Sequence, residues 1–79
     1  MQEIAPNFDR ITFDEQLMMG QACIRRMAIT VSMIVTLVSF GMENEDILQA
    51  YPCLEMEDIQ QALQYAAWLA SKRVYPYKN

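Results

Sequence analysis

The fold is decided by a six-residue phrase that the chain uses twice, MENEDI at positions 42–47 and, twelve residues later, LEMEDI at positions 54–59. In each copy an apolar residue precedes a glutamate at a helix-cap position. An isoleucine follows four residues after that glutamate, which is the spacing of a hydrophobic staple. The acids of both first turns lie at the positive end of a helix dipole. The phrase therefore predicts two helix starts, and Pro52 ends the first of these helices near Tyr51.

Working outward from the phrase, the last helix is predicted to run from Met56 to about Lys72, with an apolar stripe facing the core. A further helix is predicted from Val31 to Phe40, because Thr30 can cap its start and Gly41 can end it. That helix is apolar nearly all round, so we expect it to lie centrally. Before it, the short β-branched or aromatic segments 10–13 and 22–25 predict two strands.

These elements predict one small domain of the mainly α class. Three helices joined by short turns resemble a helix-turn-helix bundle, here preceded by a small two-stranded β element. We assign residues 1–9 to a flexible leader, residues 10–72 to the domain and residues 73–79 to a C-terminal tail. The run from Met27 to Phe40 is too short for a membrane span, which needs about twenty residues, so we expect no membrane contact.

The composition narrows the class of function. The chain of 79 residues is 53% hydrophobic, which excludes a disordered tail, and its net charge is −4. It has no histidine, no phosphate-cradling glycine motif and only two cysteines, Cys23 and Cys53, so we expect neither catalysis nor a metal or other cofactor. Two free thiols indicate a reducing cytoplasm. So short a chain has a marginal core, and we therefore expect a dimer or higher homo-oligomer.

Several short motifs occur in an order that resembles a known family. They are ITFD at 11–14, Gly20, IR at 24–25, ITV at 29–31, GM at 41–42, YPCL at 51–54, EDI at 57–59 and AL at 62–63. Together they resemble the small bacterial family catalogued as domain of unknown function 433, over about residues 10–67. The resemblance implies a homeodomain-like helix-turn-helix fold. It also implies a role like that of VapB-type antitoxins, which are encoded beside PIN-like ribonuclease toxins.

The chain departs from the family pattern by losing positive charge. Gly20-Gln21-Ala22 stands where the family usually has Gly-Lys-Pro, and residues 25–28 stand where it usually has Arg-Gly-Thr-Arg. Glu43 and Glu55 replace Ser or Thr caps. Residues 41–60 hold six acids and no base, and acids at the start of a recognition helix repel DNA phosphates. Only Arg10, Arg25 and Arg26 offer a basic patch, so we expect DNA binding by the chain alone to be weak.

The remaining expectation is a protein-binding role, in which the chain neutralises a PIN-like ribonuclease. An acidic surface of Glu43, Glu45, Glu55 and Glu57 would face the basic RNA path of the nuclease. Trp68, on the polar face of the last helix, would anchor the contact, with Tyr75 and Tyr77 as neighbours. Two interpretations compete with these: the acids form an ordinary solvated face, and Trp68 packs on its own chain. A DNA-binding transcriptional autoregulator and an oligomeric scaffold protein are the alternative functions.

Overall fold

Three helices and a small sheet make up residues 3–4 and 8–72, the part of the chain that the computed structural model describes. The elements are β1 (Glu3–Ile4), β2 (Ile11–Phe13), β3 (Cys23–Ile24), α1 (Val31–Ser39), α2 (Asn44–Ala50) and α3 (Met56–Lys72). The mainly α class and the β element before the helices are confirmed. The three predicted helices appear with ends within a residue or two of the expected ones. Within the described residues, none of the helices combines the length and apolar character that a bilayer crossing requires.

The sheet is antiparallel, with β2 in the middle. The two predicted strands pair with each other, Ile11 opposite Ile24 and Thr12 opposite Cys23. The short strand β1 lies on the other edge of β2. Both β1 and Phe8 belong to the segment assigned to the leader, and they contact the domain through this pairing and through the ring of Tyr65. The tail 73–79 lies outside the described residues.

Both ends of α1 have the caps that the sequence predicts. The hydroxyl of Thr30 accepts a hydrogen bond from the backbone N–H of Met33 at 3.0 Å. At the other end Gly41 has a φ of +91°, which glycine adopts without the Cβ clash of other residues. The N–H groups of Gly41 and Met42 donate to the carbonyls of Val38 and Leu37, the two bonds of a Schellman motif. The helix therefore stops where α2 has to begin.

The centre of the core is built from five isoleucines, each from a different element. Each is fully buried, and they come from β2, β3, α1, α2 and α3 in the order Ile11, Ile24, Ile34, Ile47 and Ile59. The last two are the isoleucines of the repeated phrase, so the phrase starts each helix and also anchors it. Full burial of one such side chain stabilises the fold by about 1.5–3 kcal/mol.

The turn after β3 has an unusual backbone for its sequence. Arg25 and Arg26 have φ values of +47° and +64°, and the N–H of Met27 donates to the carbonyl of Ile24 at 2.8 Å. This is the pattern of a type I′ turn, which favours glycine and asparagine. The side chain of Arg25 is held by the ion pairs described below. Arg26 occupies the position of the glycine in the family pattern, and its side chain is 61% exposed.

We therefore expect Arg26→Gly to stabilise the protein. It removes the Cβ strain of the left-handed conformation, about 1–2 kcal/mol, against the higher backbone entropy of glycine in the unfolded chain, about 0.5–1 kcal/mol. The net gain should be about 0.5–1 kcal/mol in the free energy of unfolding, measured by urea denaturation. Arg25→Gly is the control, because it relieves the same strain but loses its ion pairs and should destabilise. A gain from both variants, or from neither, would contradict this account of the turn.

Candidate functional site

A buried carboxylate lies where the sheet meets the start of α3. The side chain of Asp58 is 0% exposed and accepts hydrogen bonds from two arginines. Arg10 Nη1 donates to its Oδ1 at 2.7 Å, while Arg25 donates from Nη2 to Oδ2 at 2.8 Å and from Nε to Oδ1 at 3.0 Å. The backbone N–H of Glu55 donates to Oδ2 at 2.8 Å. Every oxygen of this buried carboxylate thus has a donor.

The local sequence explains how these groups meet. Glu55 lies at the N-cap position of α3 and Asp58 three residues later, so the bond from Asp58 back to the Glu55 N–H is one half of a capping box. Arg10 precedes β2 and Arg25 follows β3, and since Ile11 pairs with Ile24, both arginines lie at the same end of the sheet. Arg25 also donates to the carbonyl of Cys53 at 2.8 Å, which fixes the turn before α3.

The surroundings of Asp58 keep it ionised. Burial alone raises the pKa of this carboxyl, but the hydrogen bonds from Arg25, Arg10 and the Glu55 backbone outweigh burial and leave the pKa lowered. The hydrogen bonds that Arg10 donates to Glu55 and Asp58 raise the pKa of its guanidinium. The carboxylate of Asp58 and the guanidinium of Arg10 are therefore both charged at neutral pH. Among the described residues, no group of three His, Cys, Asp or Glu side chains is arranged to hold a metal ion.

The three arginines predicted as a basic patch have different partners. Arg10 forms ion pairs with Asp58 and with Glu55, the latter at 2.8 Å. Arg25 forms an ion pair with Asp58. The charges of these four side chains cancel. Arg26 has only a loose pair with Asp14, at 3.9 Å, and is largely exposed. The nucleic-acid role of this patch stays a prediction, with Arg26 as its most accessible member.

The acidic residues of the repeated phrase come together at one edge of the molecule. Asn44, the first residue of α2, donates to the sulfur of Met56, the first residue of α3, at 3.6 Å. The two helix starts are therefore neighbours, with exposed glutamates around them. We name this surface the acidic edge; its members are Glu43, Glu45, Glu55 and Glu57. Within the described residues, only Glu55 of the four lies within ion-pair distance of a base, Arg10.

Trp68 is half-buried, not fully exposed on the polar face of α3. Its ring centroid lies 5.7 Å from that of Phe8 and 5.6 Å from that of Tyr65, and Phe8 contacts Tyr65 edge-on at 5.5 Å. The helical period missed this contact because Phe8 comes from a segment without any period of its own. The structure thus shows Trp68 packing on its own chain, while its role as a partner anchor stays a prediction. Tyr75 and Tyr77 lie outside the described residues.

An open apolar groove of about 480 Å³ is a feature that the sequence did not reveal. Its walls are the first half of α1, with Val31 and Val35, and the last third of α3, with Ala66 and Leu69; Phe13 of β2 closes one side. The signal in the sequence was the absence of charge from Met27 to Met42. The uncharged run predicts a central helix, whereas Ser32, Thr36 and Ser39 of α1 are exposed.

Asp58→Asn should destabilise the fold, since it removes the charge that both arginines face. Loss of one partner from a buried ion pair costs about 3–5 kcal/mol, and the partial exposure of the arginines reduces this to about 2–4 kcal/mol. Because the folded pKa is lowered, the stabilisation is complete above the unfolded pKa of about 4 and is lost as the pH falls through the folded pKa. Urea denaturation at pH 7 and pH 3 should show the difference between parent and variant shrinking in acid.

Asp46→Asn is the matched control, because Asp46 has the same place in the first copy of the phrase but is exposed. It should change the free energy of unfolding by less than about 0.5 kcal/mol. Equal effects of the two substitutions would mean that Asp58 acts only through the helix dipole.

Trp68→Ala should lower the melting temperature even without a partner. A fully buried tryptophan costs about 3–5 kcal/mol when truncated, so a half-buried one in an aromatic cluster should cost about 2 kcal/mol. Calorimetry of this variant beside Trp68→Phe, which keeps one ring, checks the prediction. If both variants melted at the temperature of the parent, the packing of Trp68 would not contribute to stability and the prediction would be wrong.

Comparison with known proteins identifies a family. The family model described as "Protein of unknown function (DUF433)" matches residues 11–66, which include β2, β3, α1, α2, the Arg25–Asp58 ion pair and most of α3. No curated protein and no solved structure matches the chain. The matched region spans well over half of the sequence, so the chain belongs to the DUF433 family.

Proposed function

We propose that this chain is a protein-binding, antitoxin-like module that neutralises a PIN-like ribonuclease by covering its RNA path. The observation that carries the proposal is that, in the first 60 residues, most of the basic side chains are paired within the chain while most of the acidic edge is not. Two of their three bases, Arg10 and Arg25, are neutralised inside the molecule, whereas the acidic edge stays exposed. The surface left for partners is negative, which favours a basic protein surface over nucleic acid.

The acidic edge suits this role in position as well as in sign. The starts of α2 and α3 are held side by side, so their glutamates form one continuous field. Such a field speeds the encounter with a basic cleft, and it competes with the phosphates of RNA for the same arginines and lysines. The exposed part of Trp68 would add an apolar contact that slows dissociation. Because Cys23 and Cys53 are both free thiols, a reducing cytoplasm is the proposed compartment.

A DNA-binding autoregulator has less support. A recognition helix meets DNA with its N-terminal residues, and in α3 these include Glu57 and the carboxylate of Asp58, which two arginines already neutralise. Arg26 alone would contact few phosphates, which gives weak and strongly salt-dependent binding. An oligomeric scaffold would have no use for the concentrated charge of the acidic edge. Both alternatives are outcomes of the experiment below.

The test is binding kinetics against the product of the neighbouring gene, which the proposal expects to be a PIN-like ribonuclease, over a salt series. Replacing Glu43, Glu45 and Glu57 together by glutamine should slow association about tenfold at low salt and flatten its salt dependence, with little change in the off-rate. Glu55 is kept, because it bonds Arg10. Helical circular dichroism should be unchanged.

A charge-matched pair of single variants gives the control. Glu57→Gln and Glu15→Gln have the same net charge, and both positions are exposed, but Glu15 lies outside the acidic edge. Only Glu57→Gln should slow association. If both variants slowed association equally, the acidic edge would be an ordinary solvated face and not a binding surface. Nanomolar binding to one DNA sequence at physiological salt, without the nuclease, would favour the autoregulator instead.

A further inference from the structure

The apolar groove between α1 and α3 lies beside an exposed ridge of α1 that ends in a large aromatic residue. Ser32, Thr36 and Phe40 follow one another at intervals of four residues, so they lie in one row along the helix surface. All three are exposed, and Phe40 is 83% exposed. Ser32 and Thr36 also line the groove. The side chains of the ridge are therefore small where they border the groove, and the last one, Phe40, is large.

We propose that this face binds a second copy of the chain, with Phe40 of each copy inserted into the groove of the other. In a two-fold dimer the same patch serves both subunits, so one insertion implies the reciprocal one. At 1.5 Å per residue, Phe40 lies about 6–13 Å along the helix from the α1 residues that line the groove. Phe40 and the groove are close enough to belong to one contact surface. This inference does not rest on the proposed function.

Charge favours a second copy over a basic partner on this face. No residue from Met27 to Met42 is charged, so two such helices can meet without burying or opposing a charge. A basic nuclease surface would have to leave charges unpaired against the groove walls, Val35, Ala66 and Leu69. The surface that is complementary to such a partner is the acidic edge. The groove is complementary to an uncharged face, and the chain itself carries one.

The number of residues available for the contact agrees with a reversible dimer. A standard interface uses about 20–30 residues on each side. The groove has eleven lining residues, and the end of the ridge adds a few more, about half of that number. Two inserted phenylalanine rings, each burying about 150–250 Å², would supply most of the energy. We therefore expect a dissociation constant in the micromolar range.

The first experiment is sedimentation equilibrium of the full chain from 1 to 200 µM, beside Phe40→Lys and Met19→Lys. Phe40→Lys should raise the dimer dissociation constant at least about thirtyfold, as expected for a hot spot. Met19 is the matched control, since it is 91% exposed and lies outside the groove lining; its substitution should change the constant less than about twofold. Circular dichroism verifies that both variants remain helical.

The second experiment tests direct contact. Ala70→Glu, which places a charge in the groove lining, should also give a monomer. Mixing it with Phe40→Lys should restore a heterodimer, because one side regains a native insertion and the other pairs the introduced lysine with the introduced glutamate.

The outcomes separate the candidate occupants of the groove. Recovery of the dimer in the mixture supports the reciprocal insertion. A parent chain that stays monomeric at 200 µM overturns the proposal, in favour of a groove filled by the chain's own tail or by another protein. A dimer that survives Phe40→Lys, or that is lost equally in Met19→Lys, places the dimer contact elsewhere and also overturns it.

Discussion

The structure depends on one buried carboxylate. Asp58 joins three parts of the chain that are far apart in sequence: Arg10 before β2, Arg25 after β3, and the first turn of α3. Burying a carboxylate away from water costs several kcal/mol unless hydrogen-bond donors surround it. The folded state therefore requires both arginines at this point. This requirement fixes the sheet against α3. It also explains why Arg25 keeps a left-handed backbone that its residue type disfavours.

The same interaction sets the electrostatic character of the surface. Residues 1–60 contain three bases, and the Asp58 network neutralises the charge of two of them, which stay partly exposed. The network does not neutralise the other three glutamates at the neighbouring helix starts, Glu43, Glu45 and Glu57. These acids stabilise α2 and α3 through the helix dipoles, and they need no bases for that purpose. A structural requirement therefore leaves a negative surface as a by-product, and the proposed function uses that surface.

How much of this could be predicted from the sequence depends on the range of each interaction. The ends of α1 followed from Thr30 and Gly41, and the starts of α2 and α3 from the repeated phrase, because caps and staples are local. The buried role of Asp58 did not follow, because Asp46 has the same place in the other copy of the phrase, and the arginines that bind Asp58 come from distant parts of the chain. For the same reason the sequence left open whether Trp68 packs on its own chain, since Phe8 reaches it from 60 residues away. The uncharged run of α1 predicted burial correctly for Ile34 but could not show that one face is left uncovered by the described residues.

The two candidate surfaces make different demands on the sequence, and the chain keeps them apart. The acidic edge lies at the start of α3 and the groove at its end; Glu57 and Ala66 are nine residues apart, about 13 Å along the helix. Charge at the groove would oppose an uncharged partner, and apolar residues at the edge would weaken the field. With the surfaces separated, the proposed dimer would leave the acidic edge of each copy exposed and so present two such edges. For a partner with two matching basic surfaces within reach, the second contact would then form at a high effective concentration. The proposed dimer would thereby give the short chain both additional burial and a larger charged field than one copy can offer.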